Sequence, residues 1–317
     1  MTRDALYIGR EWNVDHDRRA RVSNAELRYT VVGRGEPVLC IHGTTVADSL
    51  ITPMKFFPPL LDEYQLISYY RAGYGGSTLE QDTLSIEEGA EHAKELLDHL
   101  GIDKAHILAF SFGGVLAFQF LMSYPERAHS AVLLEPYLPR EGQAAIKANI
   151  DAFMGAMQLY QAGDKLGAAF FYMEAVCGPS FLGSVEMTGP LDVWKRVEAC
   201  VDTTFTVDFP AISEWAFKPS EADKYADRKP TMPVLAAMGL DSEAAMPGFR
   251  ETQEFLMRWL PQAERCGIPN ATHGMQSMNP VAVAEATYAF LKRHPMAIPS
   301  TATVPSGAEP ALAGKVG

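Results

Sequence analysis

Short, continuously apolar runs recur along the chain. Residues 37–42 (PVLCIH), 64–70 (YQLISYY), 105–110 (AHILAF), 130–135 (SAVLLE) and 233–238 (PVLAAM) are apolar on both alternating faces. That pattern predicts strands buried on both sides of a parallel sheet. Residues 25–32 (AELRYTVV) read as a further strand closed by a Gly-Arg-Gly turn, and AERCGI, residues 263–268, as the last one. Helical periodicity fills the gaps. Ser85-Ile86-Glu87-Glu88 has the form of a capping box, and Ile86, Ala90, Ala93, Leu97 and Leu100 then share one helix face, with Gly101 as the stop. A second helix runs from just after Ser111 to about Tyr124, where Pro125 ends it, and Asn279-Pro280 opens a last one. Strands alternating with helices predict an α/β sandwich with a mainly parallel sheet.

The alternation breaks between about residues 137 and 230. This stretch is helical in pattern and rich in Met and aromatic residues, among them Phe153, Met157, Tyr172, Phe205 and Trp215. It reads as a helical cap, residues 137–230, inserted into a core of residues 1–136 and 231–295. Residues 296–317 are rich in Pro, Ala, Gly and Ser without periodicity and read as a disordered tail.

Composition narrows the function classes. Of 317 residues, 27 are Lys or Arg and 39 Asp or Glu, a formal charge of −12. An acidic surface repels nucleic acid and anionic membrane, so neither is expected as a partner. No apolar run approaches the length of a membrane span, and the N-terminal residues lack the apolar segment of a secretory signal. The four cysteines, Cys40, Cys177, Cys200 and Cys266, show no CxxC spacing, and two fall in predicted strands. A reduced, cytoplasmic protein is the expectation. Neither an HExxH segment nor a clustered His/Asp spacing calls for a metal, and no cofactor is implied.

The chemistry concentrates at Ala109-Phe110-Ser111-Phe112-Gly113, between a predicted strand and a predicted helix. This is the setting of a G-x-S-x-G nucleophile elbow, with Ala109 in place of the first Gly. A tight strand-to-helix turn pushes the Ser111 hydroxyl outward, and the following helix N-terminus offers free N–H groups. Taken alone, the segment is equally a serine capping a helix. Three other segments, each after a predicted strand, change the balance: His42-Gly43-Thr44-Thr45, Arg71-Ala72-Gly73-Tyr74-Gly75-Gly76-Ser77, and Asn270-Ala271-Thr272-His273.

In this order the segments resemble the α/β-hydrolase superfamily over about residues 20–294. The resemblance implies the α/β-hydrolase fold, with Ser111 as nucleophile, His273 as general base, and the N–H groups of Thr44 and Phe112 as oxyanion donors. Of the other histidines, His42 reads as bracing its loop, and His92 and His99 as surface residues of their helix. Two residues compete for the triad acid. Family members usually carry it after the strand that here is PVLAAM, where Ser242 occupies the usual position and Asp241 stands one residue early. Glu135 ends the strand after the elbow helix. Haloalkane dehalogenases and zearalenone lactonases are similar in placing their acid there. A carboxylate in an apolar strand end is costly without a partner, which favours Glu135, with Asp241 as the rival.

A Ser nucleophile implies acyl transfer followed by hydrolysis. The apolar cap points to an uncharged, apolar small-molecule ester, with a lactone next and carbon–carbon hydrolysis of a diketone as a further reading. A small-molecule receptor on the same fold is the non-enzyme alternative. An exposed apolar cap face would let two copies pair as a homodimer.

Overall fold

The computed structural model describes residues 16–47 and 49–296; the rest of the predicted tail, residues 297–317, lies outside the described residues. One sheet contains β1 (Arg18–Val22), β2 (Ala25–Gly33), β3 (Glu36–Ile41), β4 (Tyr64–Tyr69), β5 (Ala105–Phe110), β6 (Ala128–Leu134), β7 (Val234–Gly239) and β8 (Ala263–Ile268). Their spatial order is β1-β2-β4-β3-β5-β6-β7-β8. β2 runs antiparallel to β1 and β4, and every other pairing is parallel. β5 and β7 are buried at every position, which is why they read as unbroken apolar runs. β8, at the edge, is buried only at its ends; Glu264 and Cys266 are partly exposed, and Arg265 and Gly267 are exposed.

The longer helices are α1 (Ile86–His99), α2 (Phe112–Ser123), α3 (Gln143–Gln161), α4 (Lys165–Cys177), α5 (Phe181–Thr188), α6 (Val193–Thr203), α7 (Phe249–Trp259) and α8 (Pro280–Arg293). The α1 capping box is complete. The Ser85 hydroxyl accepts from the Glu88 N–H at 3.1 Å, and the Glu88 carboxylate accepts from the Ser85 N–H at 2.8 Å. Gly101 follows with φ +67°, a left-handed stop that favours glycine. At the start of α8 the Asn279 side chain accepts from the Ala282 N–H. Two apolar clusters cover the two faces of the sheet. One contains Ile107, Ala109, Val115 and Leu116, and the other Val38, Leu108, Val132 and Phe290.

Helices α3–α6 fall between β6 and β7. After α6 the chain continues through a π-helical stretch, Thr204–Asp208, into the short helix Phe209–Glu214. This layer lies over the carboxyl ends of the strands: Thr204 bonds to Thr44 after β3, and Asp208 to Arg71 after β4. Exposed Ile146, Ile150 and Met154 recur at helical spacing along α3. Among the described residues no single helix is long and apolar enough to cross a membrane. The four cysteines are unbridged.

Two sequence readings change. β1 was not expected; its arginines face solvent while Ala20 and Val22 enter the core. His92 is buried rather than superficial, because its ring bonds to the Asn24 side chain on the β1–β2 turn.

Candidate active site

Ser111 sits at the junction of β5 and α2 with φ +54° and ψ −121°. For a residue with a Cβ such a conformation costs about 1–3 kcal/mol and persists only where surrounding structure imposes it. Here the Ser111 N–H donates to the Leu134 carbonyl of β6 at 3.1 Å, and its carbonyl accepts from the Tyr137 N–H at 3.0 Å. Gly113 is obligatory for packing. A Cβ there would lie 2.2 Å from the Ile41 carbonyl oxygen and 2.4 Å from that of His42. The turn therefore presses α2 against the end of β3 and brings Ser111 beside the loop that follows it.

His273 lies in the loop after β8, in which Asn270 has φ +52°. The Thr272 hydroxyl bonds to the Cys177 carbonyl of α4, tying this loop to the layer above. The His273 ring stacks on Phe249 at 4.4 Å and lies 4.8 Å from Phe110. Its Nε2 is 2.8 Å from Ser111 Oγ, and its Nδ1 is 2.7 Å from Glu135 Oε2. Glu135 follows β6 with φ +41° and is 3% exposed. Its other oxygen accepts from the Gly239 N–H of β7 at 2.8 Å. A carboxylate only accepts, so the Nδ1 facing it carries the proton and Nε2 is left to accept from the Ser111 hydroxyl. Burial pushes the His273 imidazole below its ordinary value, and the charge of Arg140 adds to this against the pull of Glu135. The neutral form required of a base is therefore favoured.

The structure thus brings Ser111, His273 and Glu135 into one hydrogen-bonded line. Asp241 is exposed and takes no part in it, and Ser242 is buried next to Gly239 with its hydroxyl lacking a protein partner. Phe112 is the first residue of α2, so its N–H has no acceptor within the helix. Thr44 follows β3, and both it and Ser111 line a chamber of about 30 Å³. That is room for about one water. Tyr172, Met173, Val176 and Phe181 from the overlying helices close it. Gln276 also lines it, with both amide atoms lacking a protein partner.

Three residues near the site carried no usable signal in the sequence. Arg140 is buried, packs 4.6 Å from the Phe249 ring and 4.8 Å from that of Tyr137, and donates to the Gly248 carbonyl at 2.7 Å. Asp208 pairs with Arg71, both buried, at 2.7 Å. Tyr172 stands between the Ser111 chamber and a second cavity of about 460 Å³.

The sequence profile of the alpha/beta hydrolase fold family matches residues 36–162. An uncharacterized hydrolase, YcgS, of Bacillus subtilis (strain 168) is 33% identical over 108 residues, 34% of this chain and 37% of that protein. A 2-hydroxy-6-oxo-6-phenylhexa-2,4-dienoate hydrolase of Comamonas testosteroni is 30% identical over 122 residues, 36% of this chain and 41% of that protein. The chain spans about two fifths of the length of these relatives. A solved thermophilic esterase from Thermogutta terrifontis, with malate bound, has the same fold, with a TM-score of 0.68 at 21% identity over 88% of this chain and 100% of that one. With its strand order and the elbow between β5 and α2, the chain has the α/β-hydrolase fold.

Proposed function

We propose that the protein is a serine hydrolase that cleaves a carboxylic ester of an apolar small molecule through an acyl-enzyme on Ser111. The observation that carries this reading is the unbroken line Ser111 Oγ–His273 Nε2, His273 Nδ1–Glu135, at a strained strand-to-helix turn. In the proposed cycle Ser111 Oγ attacks the ester carbonyl carbon and its proton passes to His273 Nε2. The carbonyl oxygen, now an anion, accepts from the N–H groups of Thr44 and Phe112. Glu135 keeps the imidazolium oriented and balanced in charge. Collapse of the adduct breaks the C–O bond, and the alcohol leaves with the proton from His273. Water then attacks the acyl-enzyme by the same steps in reverse order, with His273 as base.

The substrate class follows from the two spaces that adjoin the chamber. The cavity behind Tyr172 is lined by Ile150, Phe153, Met157, Phe205 and Phe209 among others, and none of its lining residues is charged. Its volume, about 460 Å³, suits a medium-sized apolar group. A further cavity of about 530 Å³ shares Thr45 and Val46 with the chamber but is lined by Arg28, Asp192 and Arg196. An uncharged acyl or alcohol group fits the first better. Gln276 offers one donor and one acceptor to a polar group near the scissile bond or to the attacking water.

Labelling by a fluorophosphonate probe, lost in Ser111→Ala, is the expected result; an intact fold with no labelling at any pH would favour a receptor. The ester is then distinguished from a lactone or a diketone by turnover of p-nitrophenyl esters of increasing chain length against lactones and a diketone. The diketone arm has its own motive in the Comamonas testosteroni relative, a 2-hydroxy-6-oxo-6-phenylhexa-2,4-dienoate hydrolase. Ile150→Trp, which narrows the apolar cavity, is expected to lower kcat/KM for octanoate about tenfold relative to acetate. An equal effect on both esters would move the apolar group to the cavity behind Val46.

A further inference from the structure

The loop that would supply the Thr44 donor is held by a buried ion pair, one partner in the core and the other in the helical layer. Arg71 follows β4, and Asp208 ends the π-helical stretch; they are 3% and 1% exposed. The guanidinium donates from Nη1 to Asp208 Oδ1 at 2.9 Å and from Nη2 to Oδ2 at 2.7 Å, a forked pairing. The same group reaches the loop after β3. Its Nε donates to the His42 carbonyl and its Nη2 to the Gly43 carbonyl, both at 3.2 Å. Its plane also lies 4.7 Å from the Phe112 ring.

The geometry reaches Thr44 through one peptide group. The Arg71 N–H donates to His42 Nε2 at 3.0 Å, and burial keeps this imidazole neutral, so its proton is on Nδ1 and is donated to the Gly43 carbonyl at 2.6 Å. The Gly43 carbonyl thus accepts from two donors. It belongs to the same planar peptide as the Thr44 N–H, and in a trans peptide the two point in opposite directions. Fixing the carbonyl fixes the N–H, and polarising the carbonyl makes the N–H a stronger donor. The Thr44 side chain is held separately. Its hydroxyl lies 3.0 Å from the Tyr74 hydroxyl and 3.1 Å from that of Thr204, and Tyr74 donates to Asp208 Oδ2 at 2.6 Å.

We propose that Asp208, acting through Arg71 and Tyr74, is the positioning residue for the Thr44 oxyanion donor, so that the site is assembled for chemistry only while the helical layer is seated on the core. The proposal rests on the oxyanion assignment above. A buried ion pair is weak evidence of stability, because desolvation offsets much of its attraction. Its placement here, with both remaining guanidinium hydrogen bonds on the loop before Thr44, gives it a use in positioning.

The test compares Asp208→Asn with the double variant Arg71→Met/Asp208→Leu, which leaves no unpaired buried charge should the single variant fold poorly. Asp202→Asn is the control; Asp202 is an exposed neighbour paired with Lys165. With p-nitrophenyl butyrate, kcat is expected to fall about 10- to 100-fold in both test variants with KM within about threefold. Affinity for a trifluoromethyl ketone, which forms a tetrahedral adduct on Ser111, should fall in parallel. In ¹⁵N-labelled protein the Thr44 amide resonance should move in both test variants and stay in place in the control. An unmoved Thr44 amide, or a loss confined to KM, overturns the proposal. Absence of any esterase activity in the unsubstituted protein would count against the hydrolase reading instead, while the Thr44 amide would still decide whether Asp208 sets that peptide.

Discussion

Replacing Glu135 by Gln tests the proposed triad with almost no change of volume. The Glu135 carboxylate faces two donors, the Gly239 N–H at 2.8 Å and His273 Nδ1 at 2.7 Å. The backbone N–H can only donate, so in the variant the amide oxygen is drawn to Gly239 and the NH₂ group is left facing Nδ1. That arrangement holds the imidazole in the other tautomer, with Nε2–H pointing at Ser111, where it cannot accept the hydroxyl proton. The imidazolium also loses its counter-charge in a buried setting. The tautomer effect alone is on the order of 10³–10⁴ in kcat, which is about 4–5.5 kcal/mol of barrier. KM should change little, because Glu135 reaches substrate only through His273. The assay is steady-state hydrolysis of a p-nitrophenyl ester by wild type, Glu135→Gln and Asp241→Asn, with fluorophosphonate labelling rates as a second readout. Asp241 is exposed and outside the line, so Asp241→Asn should retain activity within about twofold. If Asp241→Asn is the more damaging change, or Glu135→Gln stays within tenfold of wild type, the acid assignment and the tautomer argument both fail.

Burial lowers the His273 value from its ordinary 6.5. The base is active when neutral, so kcat/KM should hold steady as pH falls to that value and decline only below it; an acid limb centred above pH 7 would contradict this. His42, His92 and His106 are likewise held below 6.5, each chiefly by burial. A group with a depressed folded-state value binds its proton in the unfolded chain first, so stability should fall as pH drops from about 6.5 toward the folded values. Urea midpoints between pH 7.5 and 5 measure this, and a flat profile would refute it. Gly113→Ala should abolish soluble folding or activity, since its Cβ would meet two backbone oxygens at 2.2 and 2.4 Å, whereas Gly101→Ala, with no atom within 4 Å but φ +67°, should cost only about 1–2 kcal/mol by thermal denaturation.

What could be read in advance depended on whether the controlling interaction was local. β5, β6 and β7 announce themselves because burial on both faces removes polar residues from them. The elbow is legible because its constraint acts within five residues. β1 is hidden because more than half of it faces solvent and three of its five residues are exposed arginines. His92 was misread because its helix position suggested an exposed side chain, while the partner that accommodates it, Asn24, is 68 positions away. The sequence favours Glu135 over Asp241 but leaves Asp241 as a rival for a related reason. The choice turns on β6 lying between β5 and β7, so that one carboxylate reaches His273 and also takes a β7 amide. Spatial strand order is not written in any local pattern. Asp208 is the extreme case. It lies in a helical run with nothing to mark it, and its partner is 137 positions earlier, in a loop noted for its glycines rather than its arginine. An acidic residue with 1% exposure is nevertheless a strong physical signal once coordinates exist, because it demands a cation. Here the cation that answers it also holds the Gly43 carbonyl, so the side chain hardest to see in the sequence is joined by two hydrogen bonds to the peptide that carries the Thr44 N–H.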